Sequence, residues 1–354
     1  MNIKHPPAIK KNPLVVQACR GQKTERTPVW FMRQAGRYME EYRKVRKKWT
    51  IKEIAKTPEL AAQVTIDPVG KLGVDAAILF SDILLLAEPM GFKLEYTEGE
   101  GPAFHNPIRE PDDIRRIPEI DAAQEMKFTA DAVRLIRKNL PPEKALIGFA
   151  GAPFTLASYL IEGGHSDNYL KTKNLMRQDR TLWTMLMEKL SRAVTDLCLI
   201  QVQAGADIIQ IFDSWAGCLA PGDYEEFVLP HVRKIVAALQ AQSVPVIYFS
   251  TGTGGCIELL KKTQADVISV DWRVSLGEAW RRLDYETAVQ GNLDPAALFG
   301  PHEYIERRVR TILDEADERP GHIFNLGHGI LQHTPVDNVK LVVDLVHKIS
   351  FKER

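Results

Sequence analysis

Arg33 and Arg37 lie four residues apart, directly after the short apolar run PVWFMR (28–33), and they enclose Gln34, Ala35 and Gly36. A guanidinium grips a carboxylate through two parallel N–H bonds, so such a pair on one loop suits a small molecule rich in carboxylates. The same pair also suits a surface contact with Glu40 or Glu41. Asp82 stands in FSDILLLAEP (80–89), an apolar setting in which a carboxylate needs a cation or an N–H partner. It is equally placed to cap a helix beginning at Ile83. Tyr159 and Ser214 follow two further apolar runs, and His328 lies between two glycines that allow backbone and ligand to approach closely. Tyr159 can pack or can offer its hydroxyl, and Ser214 can cap a helix at Trp215 beside an Asp213 that pairs across the sheet. STGTGG (250–255) has the composition of a phosphate cradle without the Lys-Ser/Thr of a P-loop. YRKVRKK (42–48) reads as a solvated helix face. No His-x-Cys, HExxH or paired-cysteine spacing supplies a zinc site.

The elements that must position these residues announce themselves by a repeated junction. In KLGVDAAILF (71–80), QAGADIIQIF (203–212) and KTQADVISVD (262–271), a helical pattern ends and an aspartate opens a β-branched apolar run. Two of the three carry a glycine where a helix would end left-handed. Similar runs occur at PVWFMR (28–33), ALIGFA (145–150), VPVIYFS (244–250), TAVQGN (287–292) and HIFNLG (322–327), which makes eight. Near-continuous apolarity marks strands covered on both faces. Between them lie helical patterns such as 121–140, 181–203 and 301–316. Alternating β and α leaves a doubly wound sheet or a closed barrel, and eight strands without a nucleotide fingerprint favour a (β/α)8 barrel with loop insertions. FKLEYTEGEGPAF (92–104) alternates and turns at glycines, as an inserted hairpin would. Without a linker-like tract, residues 1–354 read as one domain. In a barrel the chemistry sits at the C-terminal strand ends, which is where Arg33, Asp82, Ser214 and His328 fall, while the repeated aspartates mark the opposite rim.

Composition limits the partners. Of 354 residues 45% are apolar, enough for a large core, and Lys plus Arg equals Asp plus Glu at 46 each. No basic field for nucleic acid exists overall, so any anion site is local. The four scattered cysteines read as thiols of a reducing compartment. No apolar stretch reaches the roughly 18 residues of a membrane helix, and the N-terminus has no signal-like apolar segment. The expected setting is cytoplasmic, with no membrane or nucleic-acid partner.

VWFMRQAGRY (29–38), LFSDIL (79–84), GFAGAPFTLASYLIEGG (148–164), IFDSWAG (211–217), VDWRVSL (270–276), VQGNLDP (289–295) and NLGHGI (325–330) together resemble the uroporphyrinogen decarboxylase family over nearly the whole chain. The resemblance implies a homodimeric barrel that converts the four acetate arms of uroporphyrinogen III to methyl groups without metal or organic cofactor. It assigns substrate binding to Arg33, Gln34, Ala35, Gly36, Arg37, Asp82, Tyr159, Ser214 and His328, and catalytic parts to Asp82, Arg33 and Arg37. Two segments depart from the family pattern: GILQHTPVDN (329–338) lacks a proline after its leucine, and YFSTGTGG (248–255) is longer than usual. Two other readings share some of these features. A corrinoid-linked methyltransferase would need zinc ligands where Ser250 and Thr251 stand, and a non-catalytic tetrapyrrole carrier could dispense with Asp82.

Overall fold

The computed structural model describes residues 12–97 and 101–351. Seven strands, β1 (Ala76–Ile78), β4 (Ala145–Gly151), β5 (Ile208–Asp213), β6 (Val246–Ser250), β7 (Val267–Ser269), β8 (Ala288–Leu293) and β9 (His322–Leu326), lie side by side in that order. Every neighbouring pair is parallel. Two further strands, β2 (Leu94–Thr97) and β3 (Gly101–Phe104), form an antiparallel hairpin between β1 and β4 in the chain, the insertion expected over 92–104. The helical patterns appear as Lys127–Asn139, Arg180–Ala204 and His302–Ala316, among others. The last two end at left-handed residues, Gly205 and Asp317. No helix among the described residues is long and apolar enough to cross a membrane.

The first of the eight expected strands is reduced to one parallel bridge, Val29 to Phe324. Around it, Phe324 N donates to Pro28 O at 2.9 Å and Asp75 N donates to Val29 O at 2.8 Å, so residues 28–30 join β9 to the start of β1 and close the barrel. The segment falls short of a full strand because side chains take over its amides. Val29 N donates to the Asp75 carboxylate, Phe31 N to Gln34 Oε1 and Met32 N to Asn325 Oδ1. Pro28 has no amide to offer. The fold is the (β/α)8 barrel, with its first stave held by side-chain as well as backbone hydrogen bonds.

The three junction aspartates share one task at the N-terminal rim. Asp75 accepts Val29 N at 2.9 Å, Asp207 accepts Leu146 N at 2.8 Å, and Asp266 accepts Val246 N at 2.8 Å. Each carboxylate satisfies the first free amide of an adjacent stave, an orphan that would otherwise be buried without a partner. Inside the barrel the filling is partly polar. Gln290 accepts from the Trp30 indole and donates to Gln210 Oε1 and to Ser269 Oγ, and all four residues are buried.

Asp75 carries the closure. It also accepts two parallel bonds from Arg26, both at 2.8 Å, and a contact from His347 at 2.9 Å on the C-terminal helix Val336–Ser350. Burial alone would raise its pKa, but His347 and Arg26 more than offset that and hold the carboxyl well below the usual range. A depressed carboxyl stabilises the fold above its ordinary pKa and loses that contribution as pH falls through its folded value. Asp75→Ala strands the Val29 amide and the Arg26 charge, so it should cost about 3 kcal/mol in denaturant unfolding at pH 7. The difference from the wild type should shrink as the medium is acidified below pH 4; a constant difference would show that the ionised carboxylate is not what closes the barrel.

Candidate active site

At the C-terminal ends of the staves a cleft encloses about 290 Å³. Arg33, Ala35, Asp82, Tyr159, Ser214 and His328 line it. The structure therefore brings together six of the nine residues singled out above. It separates the other three. Gln34 is buried and turned into the barrel wall, where Nε2 donates to Ala76 O and Oε1 accepts Phe31 N. Gly36 holds the turn, since a Cβ there would come within 3.1 Å of Arg33 O. The Arg37 side chain is exposed outside the cleft lining, and its carbonyl accepts from Arg43.

The loop bearing the arginines is not a helical turn. Arg33 has a positive φ of 58°, an uncommon conformation for a non-glycine residue. The conformation is held from both sides. Met32 N donates to Asn325 Oδ1, Ile330 N donates to Met32 O, and Gln34 ties the next residue to β1. The Arg33 side chain lies across Gly329, where a Cβ would sit only 2.4 Å from Arg33 Cδ, so glycine is what lets the guanidinium stem pass. Glu40 and Glu41 take other partners, Lys44 and Lys71. Among the described residues neither Arg33 nor Arg37 has an ion-pair partner, and the surface-pair reading falls.

Asp82 does cap its neighbours. Oδ1 accepts Leu84 N at 2.8 Å, ahead of the short 3-10 turn Leu85–Ala87. Asp82 itself lines the cleft. Burial raises the Asp82 pKa against the lowering effects of the Leu84 amide, the Tyr96 hydroxyl and Arg33. Tyr159 is pushed up to about 12 by burial and by the Asp82 charge, and its ring lies against Trp215 with centroids 3.8 Å apart. His328 is driven down to about 4, first by burial and then by the charges of Arg33 and Arg273. So low a value keeps the ring neutral at pH 7.

Several features of the cleft come from residues of the same motifs that were not singled out as site residues. Phe149, Phe212 and Phe249 meet edge to face at 5.5 and 5.6 Å, and Phe249 continues to the His328 ring at 6.1 Å. They form an apolar arc across three adjacent staves. For two of the three a signal existed in the sequence: Phe212 and Phe249 stand one residue before Asp213 and Ser250 at their strand ends. Beneath the arc, Asp213 is fully buried and accepts Thr155 Oγ1 and Tyr248 OH, both at 2.7 Å, while Tyr224 OH donates to Tyr248. Burial pushes its carboxyl up to about 6 despite those bonds. Asp213 thus ties to Tyr248 on the adjacent stave β6 and to Thr155 in the helix after β4, and Ser214 gives no cap; its carbonyl accepts Thr251 Oγ1. The glycine-rich loop offers no free cradle. Gly252 N donates to Asp271, Ser250 and Thr253 share a hydrogen bond, and Gly217 is needed because a Cβ there would meet Thr251 O at 2.1 Å.

A parallel barrel whose strand ends gather an unpaired arginine, a desolvated carboxylate, a phenol and an aromatic wall into one cleft is a barrel enzyme built for an anionic, partly apolar substrate. The chain belongs to the uroporphyrinogen decarboxylase family, whose model matches residues 10–349. It is 55% identical over 334 residues to a uroporphyrinogen decarboxylase of Sorangium cellulosum, covering 94% of this chain and 95% of that one. It is 50% identical over 338 residues to one of Roseiflexus, covering 94% and 97%. Among solved structures, a methyltransferase from Methanosarcina mazei matches with a TM-score of 0.81 at 20% identity, covering 96% of this chain and 99% of that one, a likeness of fold.

The raised Asp82 pKa has a thermodynamic consequence. A carboxyl raised above its unfolded value stabilises the fold most below that unfolded value, and the contribution is lost as pH rises through the folded one. Asp82→Asn keeps an acceptor for Leu84 N and removes the desolvated charge. Its melting temperature should exceed that of the wild type at pH 8, with the gap closing by pH 4. A variant no more stable than the wild type at pH 8 would show that the carboxylate carries no desolvation cost.

Proposed function

We propose that this chain, as one barrel domain, decarboxylates the four acetate arms of uroporphyrinogen III to give coproporphyrinogen III. The observation that carries the reading is the unpaired Arg33 over a cleft whose wall is aromatic and where Asp82 is, among the described residues, the one carboxylate in the lining. A tetrapyrrole bearing eight carboxylates needs cations at its edge and apolar walls for its rings. Each turnover takes one acetate arm and one proton to a methyl group and CO₂. The carbon–carboxylate bond breaks only if its electrons have somewhere to go. Protonation of the pyrrole at a ring carbon makes an iminium-like cation that accepts them. The exocyclic carbon then takes a proton as the ring carbon loses its own.

In this reading Asp82 stays ionised. It accepts hydrogen bonds from pyrrole N–H groups and stabilises the cation, a charge placed before the reaction in a site of low polarity. Arg33 holds a peripheral carboxylate, and Arg37, exposed on the rim, meets another or draws the anion in. Neither is suited to general acid work, because a guanidinium does not give up its proton near neutral pH. Tyr159 and Ser214 donate to further carboxylates, and the neutral His328 donates one ring N–H. Gln34, Ala35 and Gly36 contribute the shape of the turn and its backbone. We further infer a cytoplasmic homodimer. Four free thiols support the compartment, and the homodimer rests on the family to which the chain belongs.

Product analysis with uroporphyrinogen III tests this directly. The wild type should give coproporphyrinogen III, and Asp82→Asn should bind substrate but turn over about 100-fold more slowly or worse. Arg33→Lys should raise KM by about tenfold with a smaller change in kcat, since an ammonium cannot grip a carboxylate with two parallel bonds. Near-normal turnover by Asp82→Asn would remove Asp82 from the chemistry, and binding without any product from the wild type would favour the carrier reading.

A further inference from the structure

Tyr96 belongs to no motif of the sequence and lies on β2 of the inserted hairpin, opposite Pro102. Its ring packs against the core, and its hydroxyl is shut off from solvent without a well-aligned hydrogen-bond partner. A buried hydroxyl in that state carries the cost of desolvation with nothing to offset it, which makes its neighbours informative. Burial raises its pKa most, followed by the charge of Asp82 and a hydrogen-bonding contact with that carboxylate; Glu88 and Tyr159 act more weakly. The same contact is felt at Asp82, where Tyr96 is among the groups that favour the ionised form.

Of the two carboxylates near this phenol, Glu88 is already occupied. Lys52 reaches it at 2.5 Å and Lys56 at 2.6 Å, and after the opposing effect of burial these lysines hold it below its ordinary pKa. Asp82 has no ion pair of that kind among the described residues, and the hydrogen bond it accepts from Leu84 N falls on Oδ1. The hairpin that delivers Tyr96 is firmly seated. Phe104 N donates to Gly163 O at 2.7 Å, Phe92 and Phe104 meet edge to face, and Lys52 Nζ donates to Leu94 O. The other groups facing Asp82 are Arg33, Tyr159 and, more distantly, Tyr42.

We propose that Tyr96 is a positioning residue for Asp82, its hydroxyl donating to the carboxylate so that the acid stays ionised. The hairpin insertion is then part of the active site and not a surface ornament. Tyr159 cannot stand in for it: that ring is stacked on Trp215 and lines the cleft, where its hydroxyl is exposed to competition from the substrate's own carboxylates.

The kinetic consequence rests on the role given to Asp82 above, whereas the contact itself can be measured without turnover. In protein labelled with ¹³C at aspartate carboxyls, the Asp82 resonance, identified by its absence in Asp82→Asn, is titrated in the wild type and in Tyr96→Phe. The phenylalanine keeps the ring packing and removes only the donor, so the Asp82 pKa should move upward; an unchanged titration overturns the proposal. In turnover of uroporphyrinogen III, Tyr96→Phe should lower kcat/KM by about tenfold near neutral pH, the worth of a hydrogen bond to a charged group. The acid limb of its pH profile should move upward with the titration, and the loss should lessen toward alkaline pH. In the Asp82→Asn background Tyr96→Phe should have no further effect, and an equal loss there would mean that Tyr96 acts independently of Asp82, which also overturns the proposal. Full activity of Asp82→Asn alone would instead remove the function assigned to Asp82 while leaving the measured contact standing.

Discussion

A carboxylate that must be ionised where water cannot solvate it closes this barrel. Asp75 accepts the amide of Val29 and is surrounded by Arg26, His347 and Lys144, which replace the water it has lost. The stave it holds, residues 28–30, makes too few ladder bonds to keep its own place. Arg33 hangs from that stave, and the turn that follows depends on Asn325 and Gln34 for its remaining amides. Closure and substrate recognition therefore share one short segment, fastened at the bottom by a charge and at the top by two amide side chains.

The opposite economy governs the cleft. At the N-terminal rim Asp75 is paired and its charge stabilises the fold. At the C-terminal rim Asp82 and Asp213 are raised by burial, so that their ionised forms cost stability. Such a cost is tolerated where it prepares a field for a cation that forms only during reaction. The neutral His328 and the protonated phenols of Tyr96 and Tyr159 fit the same arrangement, supplying donors without additional charge. Arg33 is then the cation that lines the cleft, which suits the docking of an anion and leaves the centre negative.

Much of this was legible from residue order alone. Alternating apolar runs and helical patterns specify the barrel, because strands covered on both faces read as continuous apolarity and cannot be confused with half-exposed ones. The junction aspartates were visible as a repeat, although their task, capping the adjacent stave, was not. Arg33, Asp82, Ser214 and His328 stood out because polar residues gather at the ends of buried strands, whereas Tyr159, inside the helix after β4, was assigned by resemblance. Gln34 and Arg37 mark the limit of that logic. They occupy the same motif as Arg33, and sequence cannot tell which way each side chain turns once φ at Arg33 becomes positive.

The chain of residue types thus determined by itself the class of fold, the rim on which chemistry would gather and the kind of anion it would meet, since these follow from periodicity and from the chemistry of guanidinium and carboxylate. Only the tertiary structure decided which of those residues share the cleft. It alone showed that a hairpin from elsewhere in the chain places a phenol beside Asp82. It also set the protonation of His328 and Asp213, through burial and neighbours far apart in sequence. The reason is physical: directions of side chains and the loss of water around a charge are properties of packing, and packing joins residues whose separation along the chain carries no local signal.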